Sequence, residues 1–270
     1  MITEEEIALT NVLVNGACGR MGRAVLKAVI EDPELALVGA VDVSEGADSG
    51  ELAGLTKNGV LVETDLAAAF DRLHPDIMID FTRPDVVYQN VLLALTHKVS
   101  PVVGTTGLSE EQQREIKATA EKNDTPAFIA PNFAIGAVLM MLMSRMAAKY
   151  MPEVEIIELH HDNKLDAPSG TAVRTAEMIA EVRETHEQGH PCEKETLDGA
   201  RGADYEGMRI HSVRLPGYVA HQEVIFGGLG QTLTIRHDSI NRESFMPGVV
   251  LAAKKVRSLT SLTVGLDKLL

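Results

Sequence analysis

The sequence has few features of a secreted or membrane-spanning protein. It holds only two cysteines, Cys18 and Cys192, which lie far apart and form no Cys-x-x-Cys pair, so a reducing compartment is expected and a disulfide framework is not. No apolar run approaches the roughly 20 residues that a membrane helix requires. Residues 1–9 are acidic and lack the basic-then-apolar order of a signal peptide, which predicts a cytoplasmic protein.

A basic run is also absent, and the formal net charge is −14 at pH 7. This charge disfavours general binding to nucleic acid or to anionic membranes, so any anionic ligand must be held by local positive groups. The 270 residues, of which 45% are hydrophobic, are sufficient for a sizeable core. Their number predicts two domains, or one domain with a large insertion.

The first half of the chain alternates between short apolar strands and helical segments. The predicted strands are 11–15, 35–43, 76–81, 101–104 and 126–130, and the predicted helices are 21–30, 66–73, 85–98 and 109–122. Ser109 and Gln112 form a capping box at the start of the last helix. Strands separated in this way pair in parallel through right-handed crossovers, which predicts a doubly wound α/β domain.

The second half changes character after a methionine-rich helix, 136–151. Its predicted strands arrive as a meander and are 154–160, 208–215, 219–226 and 231–236. Pro216-Gly217 and Gly227-Gly228 are turn signals between them. This pattern predicts an α+β domain whose mostly antiparallel sheet could pack against another sheet or another subunit. A final helix, 244–258, could return to the first domain.

A glycine loop follows the first strand and precedes the first helix. Gly16, Gly19 and Gly22 have the spacing Gly-x-x-Gly-x-x-Gly, one residue different from the commonest dinucleotide-binding pattern. Asp42 follows at the end of the second strand, where a carboxylate can accept hydrogen bonds from an adenine ribose. The context favours a dinucleotide, and a purely structural turn is the alternative. Further loops at the carboxyl ends of strands would line the same crevice, namely 81–84, 104–107 and 130–133.

Residues 160–172 place two imidazoles and an ammonium just before a loop that opens a helix, 171–182. Ser169 is the predicted N-cap of that helix. Free N–H groups at the helix start, together with Lys164 and the histidines, suit a carboxylate or a phosphate. A metal site is disfavoured, because His160 and His161 point to opposite faces of a strand unless the strand ends between them. A solvated polar strand end is the remaining alternative.

With these segments, the chain resembles the dihydrodipicolinate reductase family of the diaminopimelate route to lysine. The resemblance rests on residues 16–22, 80–84, 104–107, 131–133 and, above all, 158–172. It implies a Rossmann-like, parallel-sheet nucleotide-binding domain, 1–131 with 242–270. It further implies a substrate-binding and tetramerisation domain with a mostly antiparallel sheet, 132–241. The expected assembly is a homotetramer.

The resemblance also implies the chemistry, which is NAD(P)H-dependent reduction of 4-hydroxy-tetrahydrodipicolinate, a cyclic dicarboxylate, to tetrahydrodipicolinate with loss of water. His160 matches the proton donor and Lys164 the second catalytic residue. The expected substrate-binding residues are His161, Gly170, Thr171 and Arg242. The expected cofactor-binding residues are Gly16, Ala17, Cys18, Gly19, Arg20, Met21, Asp42, Phe81, Thr82, Arg83, Gly104, Thr105, Thr106, Ala130, Pro131, Asn132 and Phe133. No metal is expected.

Asp42 favours a free ribose 2′-hydroxyl, and Val43 follows it where some family members have a basic residue. NADH is therefore predicted to serve at least as well as NADPH. Two alternative functions are another Rossmann-type amino-acid or aldehyde dehydrogenase and a non-catalytic regulator that senses a dinucleotide. The first would be expected to show a nucleophilic cysteine or a different basic cluster. The second has little reason to carry His160, Lys164 and the 169–171 cap together.

Overall fold

A computed structural model describes residues 9–270 and divides the chain into two compact units. One unit comprises the residues up to Phe133 together with Phe245–Leu270, and the other comprises Ala134–Ser244. A cofactor role for the first unit and a substrate role for the second stay predictions. In the described part of the chain, no helix is long and apolar enough to cross a membrane.

The first unit is built on parallel strands and the helices that connect them. Its elements before residue 134 are β1 (Thr10–Asn15), α1 (Arg20–Glu31), β2 (Leu35–Val41), α2 (Ser49–Leu52), β3 (Val62–Glu63), α3 (Leu66–Leu73), β4 (Ile77–Asp80), α4 (Val87–Thr96), β5 (Ser100–Val103), α5 (Glu110–Asn123) and β6 (Ala127–Ile129). The strands are short and apolar because helices cover both faces of such a sheet. The predicted capping box is confirmed, since the Ser109 and Gln112 side chains each bond to the other's backbone at the start of α5.

The second unit contains a five-stranded sheet and two helices. Its elements are α6 (Ile135–Ala148), β7 (Glu153–His160), α7 (Gly170–Ala180), β8 (Ala203–Tyr205), β9 (Met208–Arg214), β10 (Ala220–Gly228) and β11 (Gln231–Ser239). The strand order is β11-β10-β7-β9-β8. The β7–β9 pair is parallel and the other pairs are antiparallel.

The chain then adds its last elements to the first unit. They are α8 (Met246–Lys255) and β12 (Leu262–Val264), together with 3-10 turns at Val256–Ser258 and Leu266–Lys268. A 3-10 turn at Arg242–Phe245 precedes them, where the chain passes from the second unit to the first. The complete parallel sheet has the order β12-β6-β5-β4-β1-β2-β3. Its strand order reverses between β1 and β4, and ligands of open α/β sheets bind at such a point.

The predicted fold class, a Rossmann-like parallel sheet plus a mostly antiparallel second sheet, is confirmed. The meander is wrong, because β7 lies between β9 and β10. The connection 215–219 is long enough to step across one strand, whereas a two-residue hairpin would force β9 and β10 to be neighbours. The parallel β7–β9 pair in turn needs a long crossover, which α7 and the residues after it supply.

The glycine loop lets α1 approach the sheet closely. Gly16 has a φ of +84°, a conformation that favours glycine. A Cβ at Gly22 would lie 1.9 Å from the carbonyl oxygen of Gly16, so helix and loop are in backbone contact at that point. The Gly16 and Ala17 N–H groups donate to the Val41 carbonyl oxygen at 2.9 and 3.1 Å, which ties the loop to β2.

Gly22→Ala is therefore expected to destabilise the first unit by about 1–3 kcal/mol, the usual cost of overpacking a rigid contact. Urea unfolding followed by circular dichroism measures the change. Gly227→Ala is the control, because the nearest atom to its added Cβ is Glu153 Cβ at 3.8 Å, an ordinary contact. If the Gly22 variant is as stable as the wild-type protein, the close packing of α1 on the loop is refuted.

Candidate active site

A cleft of about 550 Å³ lies at the carboxyl ends of β1, β2 and β4 in the first unit. It brings together seven of the predicted cofactor-binding residues, which are Gly16, Cys18, Gly19, Asp42, Phe81, Thr82 and Arg83. The other ten do not line it, and these are Ala17, Arg20, Met21, Gly104, Thr105, Thr106, Ala130, Pro131, Asn132 and Phe133. Ala17, Ala130 and Phe133 are almost fully buried, whereas Arg20 and Thr106 are exposed.

Asp42 fixes the glycine loop as well as facing the cleft. One carboxylate oxygen accepts the Cys18 N–H at 2.8 Å, and the other accepts the Val43 N–H at 2.6 Å. Each oxygen of a carboxylate can accept a further bond, so a ribose hydroxyl can still be bound. Burial, followed by the nearby Asp42 carboxylate, raises the pKa of the Cys18 thiol. The thiol therefore stays protonated at neutral pH and is a poor nucleophile.

Asp80, the last residue of β4, joins the loops around the cleft. Its carboxylate is fully buried and accepts bonds from the side chains of Asn15 at 2.9 Å and Thr105 at 3.0 Å. It also accepts the Thr82 hydroxyl at 2.7 Å and N–H at 3.0 Å, and the Asn90 amide at 2.9 Å. Strand β1, the loops after β4 and β5, and α4 thus share one buried acceptor. The sequence prediction placed Asp80 in a strand and missed this role.

Phe81 lines the cleft and also contacts the loops after β5 and β6, which do not line it. A Cβ at Gly104 would lie 2.1 Å from the Phe81 ring, so the ring rests directly on the backbone after β5. The Phe81 ring also packs against the Phe133 ring with a centroid distance of 5.8 Å. The loops after β4, β5 and β6 are therefore held together by aromatic packing, and Asp80 also joins the first two of them.

In the second unit, His160 is the last residue of β7, and its side chain is only 14% exposed. Its Nδ1 lies 2.5 Å from Oε2 of Glu158, a residue that is completely buried. Arg214, the last residue of β9, donates from Nη1 and Nη2 to the two oxygens of Glu158 at 2.8 and 2.7 Å. Burial alone would raise the pKa of Glu158, but hydrogen bonds from His160, Arg214 and Ser212 lower it to about 2.

The start of α7 is tied to the same carboxylate. Ser169 is the N-cap, as predicted, and its hydroxyl accepts the Ala172 N–H at 3.2 Å. The Ser169 N–H donates to Oε1 of Glu158, also at 3.2 Å. Gly170 is exposed at the first helical position, and Thr171 follows it half-buried. A helix start in this setting offers N–H groups to an anion.

Lys164 is held by a neighbouring carboxylate. Its Nζ lies 2.7 and 2.8 Å from the two oxygens of Asp166, and the hydrogen bond from Lys164 lowers the pKa of Asp166. The Asp166 carbonyl oxygen accepts from Arg214 Nη2 at 2.7 Å, which attaches this loop to the Glu158–Arg214 pair. The structure thus gathers His160, Lys164 and the α7 start around one buried ion pair.

Two other predicted substrate-binding residues are exposed. His161 lies in the turn after β7, where its carbonyl oxygen accepts the Lys164 N–H at 3.2 Å. Arg242 lies on a short 3-10 turn near the end of the second unit. Over residues 9–270, no group of three or more His, Cys, Asp or Glu side chains is arranged to hold a metal ion.

The sequence analysis gave no role to Glu158 or Arg214. The sequence did contain one signal for Glu158, which is its place in an alternating pattern with Val154 and Ile156 on the buried face of β7. A buried carboxylate requires a cationic partner. Nothing in the sequence indicated which arginine would supply it, since Arg214 lies 56 positions away on another strand.

Comparison with known proteins gives the same family over both units. The family model described as the N-terminus of dihydrodipicolinate reductase matches residues 10–133, and the model of its C-terminus matches residues 136–270. A relative named 4-hydroxy-tetrahydrodipicolinate reductase, from Desulfitobacterium hafniense (strain DSM 10664 / DCB-2), is 52% identical over 261 residues, which are 96% of this chain and 98% of the relative. One of the same name from Listeria innocua serovar 6a is 54% identical over 260 residues, which are 96% and 99% of the two chains.

Comparison with solved structures gives the same family. A dipicolinate-bound dihydrodipicolinate reductase from Paenisporosarcina sp. TG-14 has a TM-score of 0.89 and 47% sequence identity, and the match covers 97% of this chain and 100% of that chain. An amine dehydrogenase from Mycobacterium smegmatis has a TM-score of 0.67 at 15% identity, with 96% and 95% of the two chains covered. The second likeness is one of fold alone.

The depressed pKa of Glu158 predicts a dependence of stability on pH. The unfolded chain takes up this proton near the ordinary value of 4.5 and the folded chain near 2, so the stabilisation is fully present above pH 4.5 and is lost as the pH falls toward 2. The loss is about 3 kcal/mol. Urea unfolding between pH 5 and pH 2.5 is expected to show a shallower pH dependence for Glu158→Gln than for the wild-type protein. Parallel pH dependences would contradict the prediction.

Proposed function

Since the chain belongs to the dihydrodipicolinate reductase family, we propose that it reduces 4-hydroxy-tetrahydrodipicolinate to tetrahydrodipicolinate with loss of water, in the diaminopimelate route to lysine. It is an oxidoreductase that uses a nicotinamide dinucleotide. The observation that carries the substrate proposal is the cluster of His160, Lys164 and the α7 start around Glu158 and Arg214. A regulator that only senses a dinucleotide would not need this cluster.

The cofactor fits the first unit. Gly22 lets α1 pack directly on the glycine loop, because a Cβ there would lie 1.9 Å from the Gly16 carbonyl oxygen. Gly19 caps α1 without a side-chain hydrogen bond, so the first N–H groups of the helix would be available to a pyrophosphate. Asp42 would accept bonds from the ribose, while Phe81, Thr82 and Arg83 would line the cleft beside it. The reduced nicotinamide supplies the hydride when it is bound.

The predicted catalytic and substrate-binding residues of the second unit would have different roles. His160 has Nδ1 directed to Glu158, so in the imidazolium form the proton on Nε2 is the one that would pass to the substrate, which leaves a neutral ring with Nδ1–H on Glu158. Lys164 would exchange its bond with Asp166 for one with a substrate carboxylate, and its charge would stabilise the transition state. His161, Gly170, Thr171 and Arg242 would contact the carboxylates. An aldehyde dehydrogenase of the cysteine type is not favoured, because the Cys18 thiol has a raised pKa.

We propose a homotetramer that forms through the second sheet. Helices α6 and α7 pack on one of its faces, since Gly136 lies against His237 and the Gln222 side chain bonds to Thr175. The opposite face carries the half-buried Ile157, Leu159 and Ile225 side chains, which a partner sheet could cover.

We also propose a cytoplasmic location, which the two free cysteines support.

His160→Gln and Lys164→Ala are each expected to lower turnover by about 10²-fold or more, the usual scale for a general acid or an electrostatic group. The assay follows oxidation of the reduced cofactor, with substrate generated in situ by the preceding synthase. Cofactor affinity, measured by fluorescence titration, should survive both changes. Lys149→Ala, at the exposed end of α6, is the control. Near-normal turnover of His160→Gln would exclude the proton-donor role.

Pyridine-2,6-dicarboxylate is expected to compete with the substrate, because Lys164, His161 and the start of α7 offer convergent contacts to two carboxylates. The reductase from Paenisporosarcina sp. TG-14, described as dipicolinate-bound, supports this expectation. Pyridine-2-carboxylate should bind more weakly, as measured by inhibition constants at fixed cofactor. Equal inhibition by the two compounds would remove the case for a two-carboxylate site.

NADH is expected to be used at least as well as NADPH. The Asp42 carboxylate would repel a 2′-phosphate, and the exposed Val43 that follows it supplies no charge. Measuring kcat/KM for both cofactors at fixed substrate tests this preference. An advantage of ten-fold or more for NADPH, about 1.4 kcal/mol, would refute the role given to Asp42.

A further inference from the structure

Glu158 makes more contacts than its own charge balance requires. A bidentate arginine already compensates a buried carboxylate, and Arg214 has that geometry at 2.7 and 2.8 Å. The same carboxylate also accepts from the ring of His160 at 2.5 Å and from the Ser169 N–H at 3.2 Å. Its oxygens thus join β7, β9 and the first turn of α7.

The geometry points to Glu158 as a positioning residue, one that fixes the tautomer and ring orientation of His160 so that Nε2 is presented to the ligand. This inference rests on the proposed function, in which His160 donates the proton. An ionised carboxylate can only accept hydrogen bonds, so the proton between the two groups belongs to Nδ1 of His160. Because the pKa of Glu158 is lowered to about 2, the group is ionised at every pH at which the enzyme would work.

The oxygens of Glu158 have separate tasks. Oε1 accepts from Ser169 and Arg214 Nη2, and it therefore sets the position of the helix start. Oε2 accepts from His160 and Arg214 Nη1. Arg214 in turn donates to the carbonyl oxygen of Asp166, the residue that holds Lys164. A single carboxylate therefore sets the relative positions of the imidazole, the ammonium and the anion-binding turn.

Glu158→Gln tests the assignment with little change of volume. The amide oxygen can replace Oε1 for Ser169 and Arg214 Nη2, while the NH₂ group faces His160 and gives up the bond from Arg214 Nη1. An NH₂ group donates to Nδ1, so the neutral ring would carry its proton on Nε2 instead. We expect kcat to fall by about 10²-fold, the scale on which groups that orient a functional imidazole act. The dissociation constant of pyridine-2,6-dicarboxylate should change by less than about five-fold, because one change of tautomer leaves the carboxylate contacts in place.

A double-mutant cycle distinguishes positioning from a general structural effect. If Glu158 acts through His160, Glu158→Gln should lower the residual turnover of His160→Gln by less than about three-fold, because residues that act as a unit are not additive. A full 10²-fold loss in both backgrounds would overturn the assignment.

Glu158→Asp keeps a charge for Arg214 and is the second variant if the amide does not fold. Its shorter side chain withdraws the oxygen from His160, and the same criterion of non-additivity applies.

The tautomer of the His160 ring can also be measured directly by NMR, without any assay of turnover. In protein labelled with ¹⁵N-histidine, long-range ¹H–¹⁵N spectra above the pH of ring titration are expected to show the Nδ1–H tautomer of His160 in the wild-type protein and the Nε2–H tautomer in Glu158→Gln. The same tautomer in both proteins would overturn the assignment. If the wild-type protein lacks reductase activity, the proposed function fails, while this spectrum still tests Glu158. Glu153→Gln is the matched control, since Glu153 lies at the other end of β7 and also pairs with a histidine, His186, at 2.8 Å.

Discussion

The second unit depends on how one buried carboxylate is compensated. Glu158 is completely buried on β7, and a carboxylate in that position without a cation would cost several kcal/mol. Arg214 supplies the cation only if β9 lies directly beside β7 in the observed parallel register, with His160 opposite Arg214. Strand order, register and the position of the predicted proton donor therefore follow from the same ion pair.

Asp80 serves the first unit in an analogous way, but without a cation. It is buried at the end of β4, and hydroxyl, amide and backbone N–H groups surround it. Several hydrogen bonds to one carboxylate can replace a salt bridge, because each donor orients a partial positive charge toward it. In both units, a buried carboxylate at or near the end of a central strand fixes the loops that follow the strands. This explains how short loops, which carry little packing of their own, can hold a constant geometry.

Local signals in the sequence were sufficient to predict most helices and strands and part of the candidate site. The capping box at Ser109, the N-cap at Ser169 and helix 66–73 depend on neighbours within a few residues, and the structure contains all three. The position of β7 between β9 and β10 depends on Arg214 meeting Glu158, a contact between residues 56 positions apart. Two-residue β3 and three-residue β12 were missed because they are too short for a periodic pattern and exist only through pairing with β2 and β6.

Each unit has a cation that pairs with an exposed aspartate close to it in sequence, and this pairing bears on ligand binding. Lys164 is paired with Asp166 and Arg83 with Asp85, in each case with an aspartate two residues further along the chain. Both aspartates are more than 60% exposed, and such exposed pairs contribute about 0–1 kcal/mol. An anionic ligand can therefore displace either aspartate at little cost, while the pairing keeps each cation in place beforehand. In a chain with a net charge of −14, such local pairs would offer an anionic ligand of either unit a positive charge without a basic surface.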